Sequence, residues 1–385
     1  MENLNLEEQK MENKVVKYLK SLPKRYFITA FSGMAQGLFV TLIAGTILAQ
    51  IAGWIGDNYI GNTLLYIANI AKILMGAGIG VGIAHALGKN KLLLFAAAVA
   101  GMIGAWADQL IIGGAGYTAI TTAMGLKAAP GNPIGAYVVT MLVVEIVPLY
   151  QGKTKLDIIL VPLGVMFLSF IGIFVSYPFV ELIDLFAKLL VITINAGETV
   201  KIIVGIFIAV VMGILLTMPT SSAAIWIAIA TSPTAVSNPV VFSIAGGAAV
   251  AGCAAHMVGF AVTSFRENGV SGLISQGVGT SMLQIPNIMK KPLIMVPEII
   301  SSAIAGLVAV LLDIRCTPAG GGMGTSGLVG LFGVIDASVG IIPTVNVVLG
   351  IILCLFVIPI GVSLAVSEFM RKKNWIKFGE MKLDD

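Results

Sequence analysis

Nine apolar stretches, each about as long as a membrane-crossing helix, make up most of the chain. A helix needs about 20 apolar residues to cross the roughly 30 Å of bilayer hydrocarbon. Only 11% of the residues are charged, whereas soluble domains carry about 25%. The stretches lie at about residues 26–55, 63–87, 92–112, 133–150, 158–180, 201–217, 239–265, 293–312 and 342–366. The sequence therefore predicts an all-α polytopic membrane protein embedded in a lipid bilayer and excludes an ordinary soluble domain.

The basic residues concentrate in the tails and in two short loops, which sets the expected topology. Lys89 and Lys91 mark one loop, Lys153 and Lys155 mark the other, and the loop at 56–58 has no Lys or Arg. Because positively charged loops stay in the cytoplasm, we expect both termini there and an even number of crossings, about ten. This distribution accounts for the net charge of +4 without a nucleic-acid partner.

Residues 181–200 divide the expected membrane domain in two. Glu181, Asp184 and Lys188 share one face of a helix, and leucine and phenylalanine side chains occupy the opposite face. Because this amphipathic segment follows Pro178, we expect a separate helix along the membrane interface. The expected organisation is a basic cytoplasmic tail at 1–25, an N-terminal transmembrane (dimerisation-like) domain at 26–180, this linker at 181–200, a C-terminal transport-like domain at 201–366 and a cytoplasmic tail at 367–385.

Four stretches rich in Gly, Pro, Ser and Thr interrupt the apolar pattern, at residues 115–132, 218–239, 268–287 and 317–327. Non-helical backbone at membrane depth is tolerated where it lines a cavity or is buried in protein. Broken helices of this kind form the binding sites of many transporters. We therefore expect re-entrant segments and a solute site here, the alternative for each stretch being a Gly-rich turn outside the membrane.

Several ionisable residues lie inside apolar stretches, where a charge is costly and is a functional hypothesis by default. The carboxylates are Asp108, Glu145 and Glu298, the most isolated histidine is His256, and Lys72 is a further case. Each also has a structural interpretation, as a hydrogen-bonded core residue or as a group near the membrane interface. The three cysteines show no metal-ligand spacing and no stand-alone catalytic motif is present. No metal, catalytic residue or cofactor is therefore predicted.

Motifs of the second half resemble those of a known family. They read AGCAAHMVGFA at residues 251–261, RENGV at 266–270, QGVGTSMLQIPN at 276–287 and GMGTSGLVG at 322–330. Over about residues 20–370 the chain resembles the EIIC-like membrane proteins of the bacterial phosphotransferase system, in the type 2 branch that includes the perfringolysin O regulator. The resemblance implies about ten spans with amphipathic interface helices and two re-entrant hairpins, in a homodimer in the bacterial cell membrane.

The resemblance also implies a sugar site in the transport domain, with phosphate donated by separate IIA and IIB partners. Sugar-transporting members carry a Thr-Glu-Pro or similar hairpin motif, and the comparable stretches 217–223 and 316–327 offer Thr, Ser and Gly instead. Neither tail is long enough to form a IIA or IIB domain, so we expect both as separate proteins. The side chains expected to bind the solute are His256, Ser221, Ser222, Thr280, Ser281, Gln284, Asn287, Thr325 and Ser326.

Three functions are open at this point. The first is a permease subunit that moves a sugar or related small polar solute by elevator-like motion. The second is a membrane sensor that binds a solute and affects gene expression, as the regulator branch implies. The third is an ion-coupled secondary transporter with Asp108 or Glu298 as the coupling carboxylate.

Overall fold

The structure is a computed structural model that describes residues 21–111, 131–218 and 222–383. Within these ranges the chain is helical apart from turns and one isolated bridge between Val339 and Ile342. The all-α fold predicted from the apolar stretches is confirmed. Ser221 and the side chain of Asp108 lie outside what the structure describes, as does most of the irregular stretch at 115–132.

The described part of the first half contains seven helices. In chain order they are α1 (Ser21–Ile55), α2 (Tyr59–Ile73), α3 (Met75–Ala86), α4 (Lys91–Ala105), α5 (Ala107–Ile111), α6 (Pro133–Ile146) and α7 (Asp157–Asn195). Asn58, Asn90 and Asn132 accept hydrogen bonds from backbone amides in the first turns of α2, α4 and α6. These side-chain caps explain why the three helices begin where they do.

The described part of the second half contains ten helices, several of them short. They are α8 (Glu198–Thr217), α9 (Ser222–Ala230), α10 (Pro233–Ser237), α11 (Pro239–Thr263), α12 (Phe265–Ile274), α13 (Ile285–Lys290), α14 (Val296–Leu311), α15 (Pro318–Gly321), α16 (Val329–Ser338) and α17 (Thr344–Lys372). The shortest, α10, α13 and α15, fall in the stretches that the Gly, Pro and hydroxyl residues interrupt. Ser232 and Thr317 cap α10 and α15 through their side-chain oxygens.

Six helices of the described residues are long and apolar enough to cross a membrane. They are α1, α7, α8, α11, α17 and the span Pro292–Leu311 that contains α14. A seventh is formed if α2 and α3, which are bent by 52° at their junction, count as one span. Three shorter apolar helices, α4, α6 and α16, accompany them. The predicted polytopic membrane fold is thus confirmed, and the total of about ten crossings stays a prediction.

Helix α7 continues through the position where the sequence predicts a break. It runs for 39 residues with Pro162 and Pro178 inside it, so residues 181–195 form its last part rather than a separate interface helix. A proline within a membrane helix is tolerated where neighbouring groups satisfy the freed backbone. The Asp184 carboxylate fixes this part of the helix. It accepts hydrogen bonds from the amide and hydroxyl of Thr234 at 2.7 and 2.9 Å, and it forms an ion pair with Lys188 at 2.9 Å.

Glycines bring α1 and α3 into backbone contact. Gly33 and Gly37 of α1 face Gly82 and Gly78 of α3, and a Cβ added to any of the four would overlap atoms of the opposite helix. Membrane helices associate through small residues that permit such close approach. Because this face of α1 packs within the first half, another face of the same helix is left for the second half.

The two loops predicted to be cytoplasmic lie at the same end of the molecule. Nε2 of Gln151 donates to Oδ1 of Asn90 at 3.0 Å. Nearby, Nε of Arg25 at the start of α1 lies 2.7 Å from Oε1 of Glu145 at the end of α6. The carboxylate of Glu145 is therefore paired with a cation. Which side of the membrane this end faces stays a prediction from the basic residues.

Candidate functional site

A cavity of about 250 Å³ lies between α1 and the interrupted helices of the second half. Its lining residues are Ile28, Ser32, Ala35, Phe39 and Ile43 of α1, and Leu216, Ser222, Ala223, Gly279, Thr280, Met282, Met323 and Ser326 of the second half. Four of these residues carry hydroxyls and most of the others are apolar, and among the described residues none that lines the cavity is charged. Such a wall suits an uncharged solute with both polar groups and an apolar face.

A larger cavity, of about 470 Å³, lies between α7, α8 and α9. Apart from Thr193 and Trp226 it is lined by aliphatic, phenylalanine and methionine side chains. The Thr193 hydroxyl already bonds to backbone carbonyls of its own helix. This cavity offers a polar solute few hydrogen bonds, so the smaller one is the better candidate.

Two interrupted segments meet at one wall of the candidate cavity. The Ser222 hydroxyl at the start of α9 donates to the carbonyl of Gly322 at 2.7 Å. A Cβ added at Gly322 would lie 2.7 Å from the Ser222 carbonyl oxygen and 2.8 Å from Cα of Ala223. Glycine is therefore needed here because the two backbones approach so closely.

A third interrupted segment closes the same wall. The Thr325 hydroxyl donates to the carbonyl of Gly277 at 2.6 Å, and the Ser326 hydroxyl donates to the carbonyl of Gly279 at 3.0 Å. Thr280 accepts from the amide of Met282 at 3.2 Å. The predicted residues Thr325 and Ser326 thus fix the backbone that presents Thr280, and Ser222, Thr280 and Ser326 reach the cavity itself.

His256 and Ser281 lie behind this wall. Oγ1 of Thr217 lies 2.9 Å from Nδ1 of His256 and 2.9 Å from Oγ of Ser281, and all three residues are buried. Nε2 of His256 has no hydrogen-bond partner among the described residues and faces Gly213, where a Cβ would overlap the imidazole. The structure therefore gives His256 a supporting position one layer from the cavity.

Gln284 and Asn287 lie elsewhere. Their side-chain amides donate to the backbone carbonyls of Met381 at 2.9 Å and Lys382 at 2.8 Å. They also bond to each other, with Nδ2 of Asn287 donating to Oε1 of Gln284 at 2.8 Å. These two predicted residues hold the C-terminal tail against the second half and are not among the lining residues of the cavity.

Glu298 also lies away from the cavity lining. It is fully buried in the first turn of α14, where Oε1 accepts from the Thr263 hydroxyl at 3.0 Å. Its Oε2 has no partner among the described residues. Within residues 21–111, 131–218 and 222–383 no group of three His, Cys, Asp or Glu residues could hold a metal ion, and the three cysteines are free and buried.

Sequence reasoning missed two contributors to the site. Ser32 is an isolated hydroxyl in the first apolar stretch, and its only signal is that it shares a helical face with Ile28 and Phe39. Thr217 closes an apolar helix just before an interrupted stretch, a position where a hydroxyl readily reaches neighbouring segments. Both are identified by the structure through the surfaces they contact.

The comparisons with known proteins agree with the motifs of the second half. A family model described as Phosphotransferase system, EIIC matches residues 28–383. No curated protein and no solved structure matches the chain. Because the match covers nearly the whole chain, including every residue that lines the cavity, this chain belongs to the EIIC family of the phosphotransferase system and is a sugar-specific membrane permease component.

Proposed function

We propose that the cavity between α1 and the second half binds a small neutral sugar that the protein carries across the membrane. The observation that carries this proposal is the lining of the cavity, to which the hydroxyl-bearing residues Ser32, Ser222, Thr280 and Ser326 contribute and no described charged residue does. Its volume of about 250 Å³ lies below the roughly 300–1,000 Å³ of drug-sized ligand pockets. The proposed substrate is therefore of monosaccharide size.

The position of the cavity supports a translocation step. One wall is a single continuous helix of the first half, and the other is formed by the broken helices of the second half. A solute held mainly by the second half changes its exposure when that half shifts against α1. We propose residues 26–180 as the fixed part, in a homodimer, and residues 201–366 as the moving part, with both termini cytoplasmic.

The phosphate is proposed to come from separate IIA and IIB proteins. No carboxylate and no imidazole of the described residues lines the cavity, so its lining offers hydrogen bonds to the sugar rather than proton transfer. The same observation favours a second candidate function, that of a membrane sensor which binds a solute and affects gene expression without phosphorylating it.

The experiment that tests the proposal is thermal unfolding of the detergent-purified protein across sugars, polyols and sugar phosphates. A ligand at about 100 times its dissociation constant stabilises the native state by about 2.7 kcal/mol. Stabilisation by a free sugar supports the permease, and uptake with IIA and IIB then distinguishes transport from sensing. If only sugar phosphates stabilise, the sensor is favoured, and if no compound does, the proposed sugar site is wrong.

A further inference from the structure

One face of α1 contacts the second half beyond the cavity as well as along it. Ile43 is the last residue of α1 that lines the cavity, and it is buried in a cluster with Ala223, Met323 and Val329. Ile47, one turn further along α1, packs against the same cluster. We call these five residues the apolar plug. Along α1 it follows the other lining residues and precedes the end of the helix that leads to the loop at 56–58.

A polar contact between the halves follows the plug. With its amide oriented to satisfy both neighbours, Gln50 of α1 donates to Oδ1 of Asp336 on α16 at 2.8 Å and accepts from Nε1 of Trp54 at 3.0 Å. The Trp54 ring also meets the ring of Phe332 edge-on, with centroids 5.6 Å apart. Gln50 thus bridges a residue of its own helix and a carboxylate of the opposite half.

Lys72 adds a charge to this contact from the first half. Its side chain packs closely on α1, since a Cβ added at Gly45 would lie 2.8 Å from Cγ of Lys72. Lys72 is partly buried and Asp336 is exposed, and their opposite charges attract each other at a separation beyond that of a direct ion pair. A charge in an apolar segment is costly unless a partner compensates it. Here the charge of opposite sign that attracts Lys72 belongs to the other half of the molecule.

We propose that Lys72, Gln50 and Asp336 form a latch that closes the solute pathway beyond the apolar plug and opens when the halves move apart. The inference rests on the proposed function in one respect, the relative movement of the halves. Separation would leave Lys72 and Asp336 without each other, so their attraction favours the state seen here. The latch therefore sets how often the cavity is exposed at the end of α1 near residues 56–58.

Labelling of a cysteine in the cavity tests the latch without any sugar. Met282→Cys places a thiol in the lining, and the unmodified protein gives the background of its three buried cysteines. A membrane-impermeant maleimide is added to one face at a time of sealed, oriented vesicles. We expect labelling from a single face in the Met282→Cys protein. Adding Lys72→Met or Asp336→Asn should raise labelling from the opposite face several-fold.

Exchange of the two charges supplies the decisive comparison. Lys72→Asp combined with Asp336→Lys should return labelling from the opposite face towards its original rate. Asp313→Asn is the matched control, because Asp313 pairs with Arg315 of its own half at 2.9 Å, and it should change nothing. Unchanged labelling in both single variants overturns the latch, and so does a rise that the exchange fails to reverse.

A substitute variant covers the case in which a charge variant does not fold, and the sugar site is tested separately. If either charge variant fails to elute as a folded species in size-exclusion chromatography, Gln50→Leu replaces it, since this change removes the bridge and leaves no new charge unpaired. Its labelling should rise in the same way, and an unchanged rate also overturns the latch. Failure of the sugar site appears separately, as an absence of thermal stabilisation with the labelling result intact.

Discussion

Oγ1 of Thr217 lies 2.9 Å from Nδ1 of His256 and 2.9 Å from Oγ of Ser281. Thr217 ends α8, His256 lies in the middle of α11, and Ser281 follows Thr280 in an interrupted segment. Because all three side chains are buried, the threonine hydroxyl joins two membrane helices to the wall of the cavity. The solute-facing residues are thus held in place by groups that the solute does not touch.

Thr217→Val removes this shared hydroxyl and keeps the shape of the side chain. His256 and Ser281 then each lose a buried partner, which should lower the free energy of unfolding by about 1–3 kcal/mol. Sugar binding should weaken too, because Ser281 adjoins Thr280. Thermal unfolding and sugar titration measure the two effects. Thr217→Ser keeps the hydroxyl and should behave like the original protein, whereas an unchanged melting temperature in Thr217→Val contradicts the contact.

Ser32→Ala is the sharpest test of direct solute contact. Ser32 lines the cavity and its hydroxyl makes no hydrogen bond to the described residues, so removing the hydroxyl should leave stability unchanged. Loss of one hydrogen bond of about 0.5–1.5 kcal/mol should raise the sugar dissociation constant by about 2–10-fold. Ser243→Ala is the control, since its hydroxyl bonds within α11 and the residue is not among those that line the cavity. Equal affinity in Ser32→Ala and Ser243→Ala would remove Ser32 from the site.

The buried ion pair of Arg371 and Glu267 should contribute more to stability than the exposed pair of Arg266 and Glu368. Nη2 of Arg371 lies 2.9 Å from Oε1 of Glu267, and their side chains are 10% and 1% exposed. Arg371→Met leaves a buried carboxylate unpaired, which should cost about 3–5 kcal/mol. Arg266→Met breaks a pair with Glu368 that is 62% and 38% exposed, so it should cost about 0–1 kcal/mol.

Chemical unfolding monitored by tryptophan fluorescence measures the free energy of unfolding of Arg371→Met and Arg266→Met. Replacing Arg371 and Glu267 together by Met should recover part of the loss, because no charge is then left alone in the interior. Similar losses of unfolding free energy in Arg371→Met and Arg266→Met would show that burial does not make the Arg371–Glu267 pair more important for stability.

Glu298→Gln distinguishes a sugar site from an ion-coupled one. Because Glu298 is not among the lining residues and its Oε1 accepts a hydrogen bond from Thr263, a glutamine can keep that bond. We expect sugar affinity to stay within about twofold, which corresponds to less than about 0.5 kcal/mol. Titrations with and without Na⁺, at several pH values, provide the check. An affinity that depends on Na⁺ or pH, with the dependence lost in Glu298→Gln, would favour the ion-coupled alternative.

Helix spans and interrupted segments could be predicted because apolar length and helix-breaking residues act locally. The partners of individual side chains could not. Gln284 and Asn287 share a short segment with Thr280 and Ser281, yet their amides bond to backbone 97 and 95 positions away. Spacing along the sequence identifies the segment as polar but carries no information on what each side chain faces.

At Pro178 and Ser32 the structure also differs from the sequence-based prediction because of contacts between distant parts of the chain. Pro178 predicts a helix end by its missing amide, whereas α7 continues because its surroundings in the folded protein outweigh this local preference. Ser32 is one hydroxyl among apolar residues, and it acquires a role only because the opposite half places Thr280 and Ser326 across from it. Both outcomes depend on contacts between distant parts of the chain.

The bond from Gln284 to the carbonyl of Met381 spans 97 positions of the chain, which has a consequence for synthesis. The segment that carries Thr280 and Ser281 enters the membrane before its anchor has been translated. At about 5–20 residues per second, the wait is about 5–20 s. During that interval the spans at Pro292–Leu311 and Thr344–Lys372 are still being made, so the solute pocket is completed only after the last span, and insertion of its first walls precedes its maturation.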